Sequence, residues 1–578
     1  MSRIRPIVHR STSGLVAAVV LVTAAPAWSV GGLTLAYQSN RAAGAAFAFA
    51  PTINGDASAA FYNPAGLAGI DKTQLRLGST VLYLDYRIDG KGLFNPAQAN
   101  PSEPAVVPGD RSIDPSTLAA AFDLYFAMPL TDRLTFGAGL NVPFGFIQHF
   151  PDEWSGRYQA TATTILSQNL GLTLGWRALD NFRVGGGINI QYLFFQIEND
   201  VDAGTRLEEQ FDTDCPAIVN STTDDTVGQI LASLGQVDGG LLGAILDGLA
   251  TGAPLDEVAC GTATTPGLIE PTGLAGTLDF ENVFDLDGFG IGFNFGFQWD
   301  VTPSTTIGFH YTSAIHHTLT GTADRDNGGN LAYARDLQNN SDGAGEQLLL
   351  QLREPLTAIP PPPAGETYAS LVTLRALQNS NDQQAEMDLT TPETINIGVD
   401  HRFTERLRVG LSYAWTNWSR FDEFKFHYTS DPRFFDGIFR QVIGRELRPA
   451  ERVDRRDNST VQPINFQDVA RYAVGFDYRA SQALNLRAGF AYVEPVLEGD
   501  TITDRMRAPI GITRLYTVGA TIRPHAGLSI DLALAYTRLD GGEIRQLNVA
   551  SKSLNRFRGE FSDVNIYAAG MTMRYAFE

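Results

Sequence analysis

The sequence predicts an all-β fold: a fourteen-stranded antiparallel transmembrane β-barrel plugged by an N-terminal hatch, with long extracellular loops carrying short helices. Three observations point to it. Phe289, Ile291, Phe293, Phe295, Phe297 and Trp299 share one face of a strand, while Gly290, Gly292, Asn294, Gly296 and Gln298 share the other. The apolar face recurs on segment after segment with no helices to cover it, which only a sheet closed on itself in lipid can use. Tight turns and long polar loops alternate along the chain, so the short connections fall on one edge of the sheet and the long ones on the other.

Residues 1–29 read as an export signal. Arg3, Arg5 and Arg10 give a basic start, Gly14 to Ala25 an apolar core too short to span a bilayer, and Ala25-Pro26-Ala27 a small-residue cleavage site. Cleavage after Ala27 and after Ser29 both fit. Downstream, no stretch of about 18 apolar residues occurs, which argues against membrane helices despite 43% hydrophobic residues. Export, strands and the lack of such helices together indicate the bacterial outer membrane.

Residues 30–72 come next, rich in Gly and Ala and without strand alternation. A barrel of fourteen strands has a lumen too wide for its own side chains to fill, which makes this segment a plug. A loose periplasmic tail is the alternative, and Phe47, Phe49, Phe61 and Tyr62 weigh against it because they suit burial.

The barrel occupies 73–578. Strands are expected near 73–87, 118–129, 133–147, 160–177, 181–197, 278–300, 304–321, 388–402, 406–426, 466–479, 483–495, 511–523, 527–540 and 561–577. In three of them Leu411 and Tyr413, Leu486 and Phe490, and Leu532 and Leu534 face lipid, while Arg408, Arg487 and Asp531 face the lumen. An arginine at mid-depth on the lipid face would cost about 2 to 4 kcal/mol. Six tight turns are expected, at 130–132, 178–180, 300–303, 403–405, 480–482 and 524–526, against seven long connections.

Two connections, about 198–277 and 322–387, are longer than structureless loops usually are. Ile230, Leu231, Leu234, Leu242 and Ile245 in the first recur at helical spacing, as do Leu349, Leu352 and Leu374 in the second. Either the two loops pack on each other or they form an apolar groove. Cys215 and Cys260 both lie in the first loop. In an exported chain the pair fits a disulfide, Cys215–Cys260, with two free thiols as the alternative.

The formal charge of −21 opposes nucleic-acid binding. No metal, nucleotide or other cofactor site is visible; 324–330 is acidic but departs from calcium-loop spacing. His310, His316 and His317 have no nucleophile marked beside them, so an enzyme is not expected.

Four stretches resemble the FadL family of outer-membrane transporters for long-chain fatty acids and other hydrophobic compounds, which includes the TodX-like hydrocarbon channels. The first comprises Gly44-Ala45-Ala46, Asp56-Ala57-Ser58 and Asn63-Pro64-Ala65-Gly66-Leu67, similar to the family's hatch. The second is Trp154-Ser155-Gly156-Arg157-Tyr158. The third is Thr391-Pro392-Glu393-Thr394, continuing through Trp415, Trp418 and Ser419. The fourth is Phe466-Gln467-Asp468, followed by 486–490 and 494–496.

The resemblance implies a monomer set in outer-membrane lipid and lipopolysaccharide. It implies capture of hydrophobic small molecules in the outer groove, transfer to a lumen pocket and lateral exit through a kinked third strand. The kink falls at Asn141-Val142-Pro143-Phe144-Gly145, where proline removes a ladder donor and glycine permits a bulge; an ordinary strand end is the alternative. The family's carboxylate-associated arginine aligns with Asn199, which leans toward a neutral ligand, although Arg157, Arg183 or Lys425 could supply the cation. A general hydrophilic porin and a structural or adhesive barrel are the competing functions.

Overall fold

Each strand pairs with the next around the molecule, and the last pairs with the first. The computed structural model describes residues 34–94, 106–202, 261–262, 265–266, 279–326, 383–420, 423–428, 459–464, 466–497, 502–503, 511–547 and 556–577. The export signal, both cysteines and all eight groove leucines and isoleucines lie outside these residues.

Strand β1 is Gln74–Leu93, and β2 joins Ser112–Ile113 to Thr117–Pro129. β3 has two pieces, Leu134–Asn141 and Gly145–His149, followed by β4 (Ala162–Leu179), β5 (Phe182–Asp202) and β6 (Asp279–Thr302). β7 comprises Thr305–Thr312 and Ile315–Asp326, and β8 Gln383–Thr391 and Thr394–Arg402. β9 comprises Leu407–Thr416 and Glu423–Tyr428, and β10 Ser459–Pro463 and Val469–Arg479. β11 is Leu484–Val493, β12 Thr513–His525, β13 Leu528–Leu539 with Gly542–Leu547, and β14 Arg556–Ala576. β14 closes on β1, with Gln74 opposite Ala576 and Leu93 opposite Arg556.

The faces fall as the alternation requires. Ile291 is 72% exposed on the outer face, and Leu411, Leu486 and Leu534 are also exposed, while Arg487 and Asp531 are buried inside. Tyr83, Tyr567, Tyr536, Tyr516 and Phe490 form a row across five neighbouring strands, with successive ring centroids 6.5, 5.4, 6.3 and 5.2 Å apart. Such a row suits a membrane interface. The short turns lie on the edge that also holds Gln74 and Ala576. In two of them a threonine hydroxyl closes the bend: Thr131 Oγ1 accepts from Arg133 N and Leu134 N, and Thr404 Oγ1 from Arg406 N and Leu407 N.

Two sequence expectations are corrected. β1 and β14 stay paired well beyond 87 and before 561, because the outward residues there, Arg87, Lys91, Arg556 and Arg558, have left the hydrocarbon while the backbone ladder continues. β7 to β10 are not continuous. Among the described residues they break at 313–314, 392–393, 417–420, 464 and 466–468, and at two of the breaks side chains join the pairing. Ser313 Oγ accepts from Phe293 N at 2.9 Å, and Asn417 Nδ2 donates to Glu393 Oε1 at 2.9 Å.

Candidate site: a plugged lumen with a break in its wall

Residues 34–70 touch every strand of the barrel from within. They include two single helical turns, α1 (Asn40–Ala43) and α2 (Ala59–Tyr62), and the 3-10 segments Ala50–Thr52 and Pro64–Gly69. Asn63 explains the Asn-Pro-Ala signature. Its Oδ1 caps the following turn by accepting from Ala65 N, and its Nδ2 donates to Pro51 O, Phe297 O and Phe309 O at 2.6, 3.2 and 3.1 Å. Pro64 fills a first-turn position where no N–H is needed. At Gly185 on β5 a Cβ would lie 2.4 Å from Pro64 C, and at Gly489 on β11 it would lie 2.3 Å from Ala45 C. Glycine on the wall lets the plug backbone reach it.

The polar anchor of the plug is Asp56. It accepts from Ser58 N and Ser58 Oγ and pairs with Arg76 of β1 at 2.9 Å and with Arg41 at 3.2 Å. Arg76 Nη2 also donates to Ser39 Oγ at 2.6 Å, and its other neighbours are Asp531 and Asp123 at 3.4 and 3.9 Å. Nearby, Ala46 and Phe47 hold φ values of 50° and 63° in succession, conformations that cost of order 1 kcal/mol or more each. The Thr517 hydroxyl holds Ala46 N at 2.9 Å, and Tyr37 meets the Phe47 ring edge-on at 5.5 Å.

The wall breaks where the third strand carries its proline. Asn141 faces Asn169 on β4 but Gly145 faces Leu166, so four steps on β3 match three on β4, the excess of a one-residue bulge. On its other side β3 pairs with β2 only from Leu140–Leu124 to Thr135–Pro129. Above that level, residues 117–123 of β2 have no ladder partner on the β3 side among the described residues. The plug binds the break instead: Leu35 N donates to Pro143 O at 2.8 Å, Thr34 bridges to Phe144, and the Gln38 amide closes on Val142. Ser167 on β4 satisfies both backbone groups of Phe144.

A cavity of about 120 Å³ opens beside this break, lined by Pro143, Phe144, Tyr62, Asn189, His310 and Arg471 among others. An amide ladder, Asn141–Asn169–Asn189–Asn294, crosses the wall next to it with contacts of 3.3 Å. Arg157 and Asn199 lie elsewhere. Both meet Asp200 in the outer part of the molecule, Arg157 through an ion pair of 3.4 Å and Asn199 through its amide on Asp200 O. Gln38, Arg76 and Arg471 were not picked out from the sequence. Inward arginines on strands were visible there, but their partners were not.

The other quoted motifs hold the broken rim together. Arg420 Nε pairs with Glu393 at 3.2 Å, Asp468 accepts from Ser419 N, and Gln467 Nε2 donates to Pro495 O. Trp154 is buried against Phe150 at 4.8 Å and donates to Ala160 O.

A closed barrel in the outer membrane, filled by its own N-terminal segment and parted between its second and third strands, defines a plugged membrane channel. The chain belongs to the family described as Outer membrane protein transport protein (OMPP1/FadL/TodX), which it matches over residues 19–577. This is a family of outer-membrane transport channels for hydrophobic compounds rather than of enzymes. Outer membrane protein P1 of Haemophilus influenzae is 22% identical over 97% of this chain and 98% of its own length. The long-chain fatty acid transport protein of Escherichia coli strain K12 is 22% identical over 83% of this chain and 81% of its own. The crystal structure of a Pseudomonas aeruginosa FadL homologue has the same fold, with a TM-score of 0.65 at 20% identity, covering 95% of this chain and all of that one.

Proposed function

We propose that this chain takes up hydrophobic compounds, long-chain fatty acids or hydrocarbons, by passive diffusion. The ligand is captured at the outer loops, enters the cavity beside Phe144, and leaves sideways into the membrane where β2 and β3 part. The carrying observation is that unpaired stretch of wall, bordered on β2 by the small inward residues Ala119 and Ala121, beside a β3 break held by plug residues 34, 35 and 38. Sideways exit follows from the chemistry of the cargo. Each methylene kept from water is worth roughly 0.8 kcal/mol, so an apolar chain gains more in the bilayer than in periplasmic water. The name of the Escherichia coli relative supports the same class of ligand.

The test is uptake of oleate, hexadecane and toluene by a strain lacking its own hydrophobic transporter, with and without this protein. A gain with at least one is expected. No gain with any, together with steady ion conductance in planar bilayers, would instead mark a hydrophilic porin.

A further inference from the structure

We propose that Arg514 and Arg538, which face each other on the outer surface of β12 and β13, bind a phosphate of the phosphorylated glycolipid of the outer leaflet, the lipid A end of lipopolysaccharide. The site lies on the lipid side of the wall and is separate from the path through the lumen.

The outward residues of these two strands mark depth in the membrane. On β12 they run Ile522, Ala520, Val518, Tyr516 and Arg514, and on β13 Ile530, Leu532, Leu534, Tyr536 and Arg538. Val518 lies opposite Leu534, Tyr516 opposite Tyr536 and Arg514 opposite Arg538. The short turn between the strands is at the periplasmic end, so the tyrosine row described above is the outer girdle, at the level of the lipid headgroups. The arginines come one outward position later, roughly 7 Å further along the strand. Acyl chains therefore cover Val518, Leu532 and Leu534, and the guanidiniums stand among the headgroups.

Like charges directly opposite on neighbouring strands, with Cβ atoms about 5 Å apart, destabilise a sheet. The chain answers only one of these two. Arg514 Nη1 donates to Asp540 Oδ1 at 2.6 Å, whereas Arg538 has no ion pair or side-chain hydrogen bond among the described residues. The outward residues flanking the pair carry no charge: Tyr492 lies opposite Arg514 on β11, and Asn565 opposite Arg538 on β14. Asn565 Oδ1 is already engaged, accepting from the Tyr536 hydroxyl at 2.8 Å. Further out, Arg545 and Glu543 neutralise each other at 2.7 Å.

A phosphate monoester carries a charge of about −1.5 to −2 at pH 7 and offers three acceptor oxygens. Placed between the two guanidinium forks, it offsets their repulsion and takes their N–H groups in pairs. The formal charge of −21 gives phosphates no general attraction to the chain, so retention has to come from this local pair. A free phosphate ion would gain only the headgroup half of the contact. A glycolipid gains the apolar strip beneath as well, and this assigns the site to a lipid.

Native mass spectrometry of the full-length protein in detergent micelles tests the site by counting retained lipid. The probes are diphosphoryl lipid A and the same lipid with its phosphates removed, which share their acyl chains, with inorganic phosphate as a competitor at equal concentration. The wild type is expected to retain the diphosphoryl form by about tenfold or more over the dephosphorylated one, the range of charge-assisted hydrogen bonds, and inorganic phosphate to leave it bound. Arg538→Gln is expected to cut that preference several-fold, Arg538→Gln combined with Arg514→Gln to bring it near one, and Arg538→Lys to keep most of it. Folding is judged by heat-modified gel mobility, and either neutral variant carries the test. Equal retention of the two lipids by the wild type, displacement by inorganic phosphate, or an undiminished preference in a folded neutral variant overturns the assignment and leaves the transport reading standing.

Discussion

Gln38 pairs with Val142 as if it were a strand residue: its Nε2 donates to Val142 O at 2.6 Å, and Val142 N donates to its Oε1 at 3.0 Å. One plug side chain thus supplies both backbone bonds that the β3 break leaves open at Val142. Gln38→Leu keeps the bulk and removes both bonds, each worth about 1 kcal/mol net, and strands two backbone groups. We expect this variant to loosen the plug at the wall and to raise oleate uptake several-fold without altering the barrel's heat-modified mobility. Unchanged uptake would mean that the pair does not hold the exit.

The break itself depends on one surplus residue. Deleting Pro143 lets 141 and 145 join β4 in a single register and returns an N–H donor to the ladder. The expected result is a heat-stable barrel whose uptake falls to near background. A deletion variant that transports normally would remove the β3 break from the mechanism.

Arg76 links the plug to the wall, standing among Asp56, Asp123 and Asp531 with its side chain fully buried. Removing one member of a buried ionic cluster leaves uncompensated charge and costs about 3 to 5 kcal/mol. Arg76→Leu should therefore lower the temperature of the folded-to-unfolded gel shift markedly, and Asp56→Asn less, since asparagine keeps the hydrogen-bonding shape. Equal, negligible effects of both would show the cluster to be dispensable.

Acid probes the same anchor. Burial alone would raise the Asp56 carboxyl, but Arg76 and Arg41 outweigh it and hold the group well below the usual carboxylate range. A depressed folded value stabilises the docked plug in full above the unfolded value of about 4, and that contribution is lost only as pH falls below it. Conductance across planar bilayers should stay low from pH 8 to 5 and rise only in stronger acid. A rise already near pH 6 would show that another group controls docking.

The lipid-facing pattern at Phe289 to Trp299 was legible in sequence because it depends only on the strand's own alternation and its solvent. So was Pro143, which carries its constraint in its own ring. The strand ends were not, since at Arg87 and Lys91 the outer face changes medium while hydrogen bonding continues. The breaks in β7 to β10 were read over because Thr391-Pro392-Glu393 and Phe466-Gln467-Asp468 show their work only across strands. Arg76 and Arg471 look alike in sequence. One has partners 20 and 455 positions away and the other has no carboxylate partner among the described residues, a difference that exists only once the barrel is closed.

Wall glycines give the sharpest test of plug docking. At Gly185 an added Cβ would meet three backbone atoms of the plug, at 2.4 Å from Pro64 C, 2.5 Å from Ala65 N and 2.6 Å from Pro64 O. Backbone held by the Asn63 bonds cannot swing aside as a side chain would, so the plug must move. Gly185→Val leaves the outer face of β5 untouched and suits a strand, so the barrel should still form. At Gly171 on β4 the nearest atom to an added Cβ is the Asn189 side-chain oxygen at 3.3 Å, which can rotate away. We expect Gly185→Val to show steady ion conductance in planar bilayers and Gly171→Ala to remain as closed as the wild type. A Gly185→Val barrel that stays closed would mean that the plug does not depend on its close approach to β5.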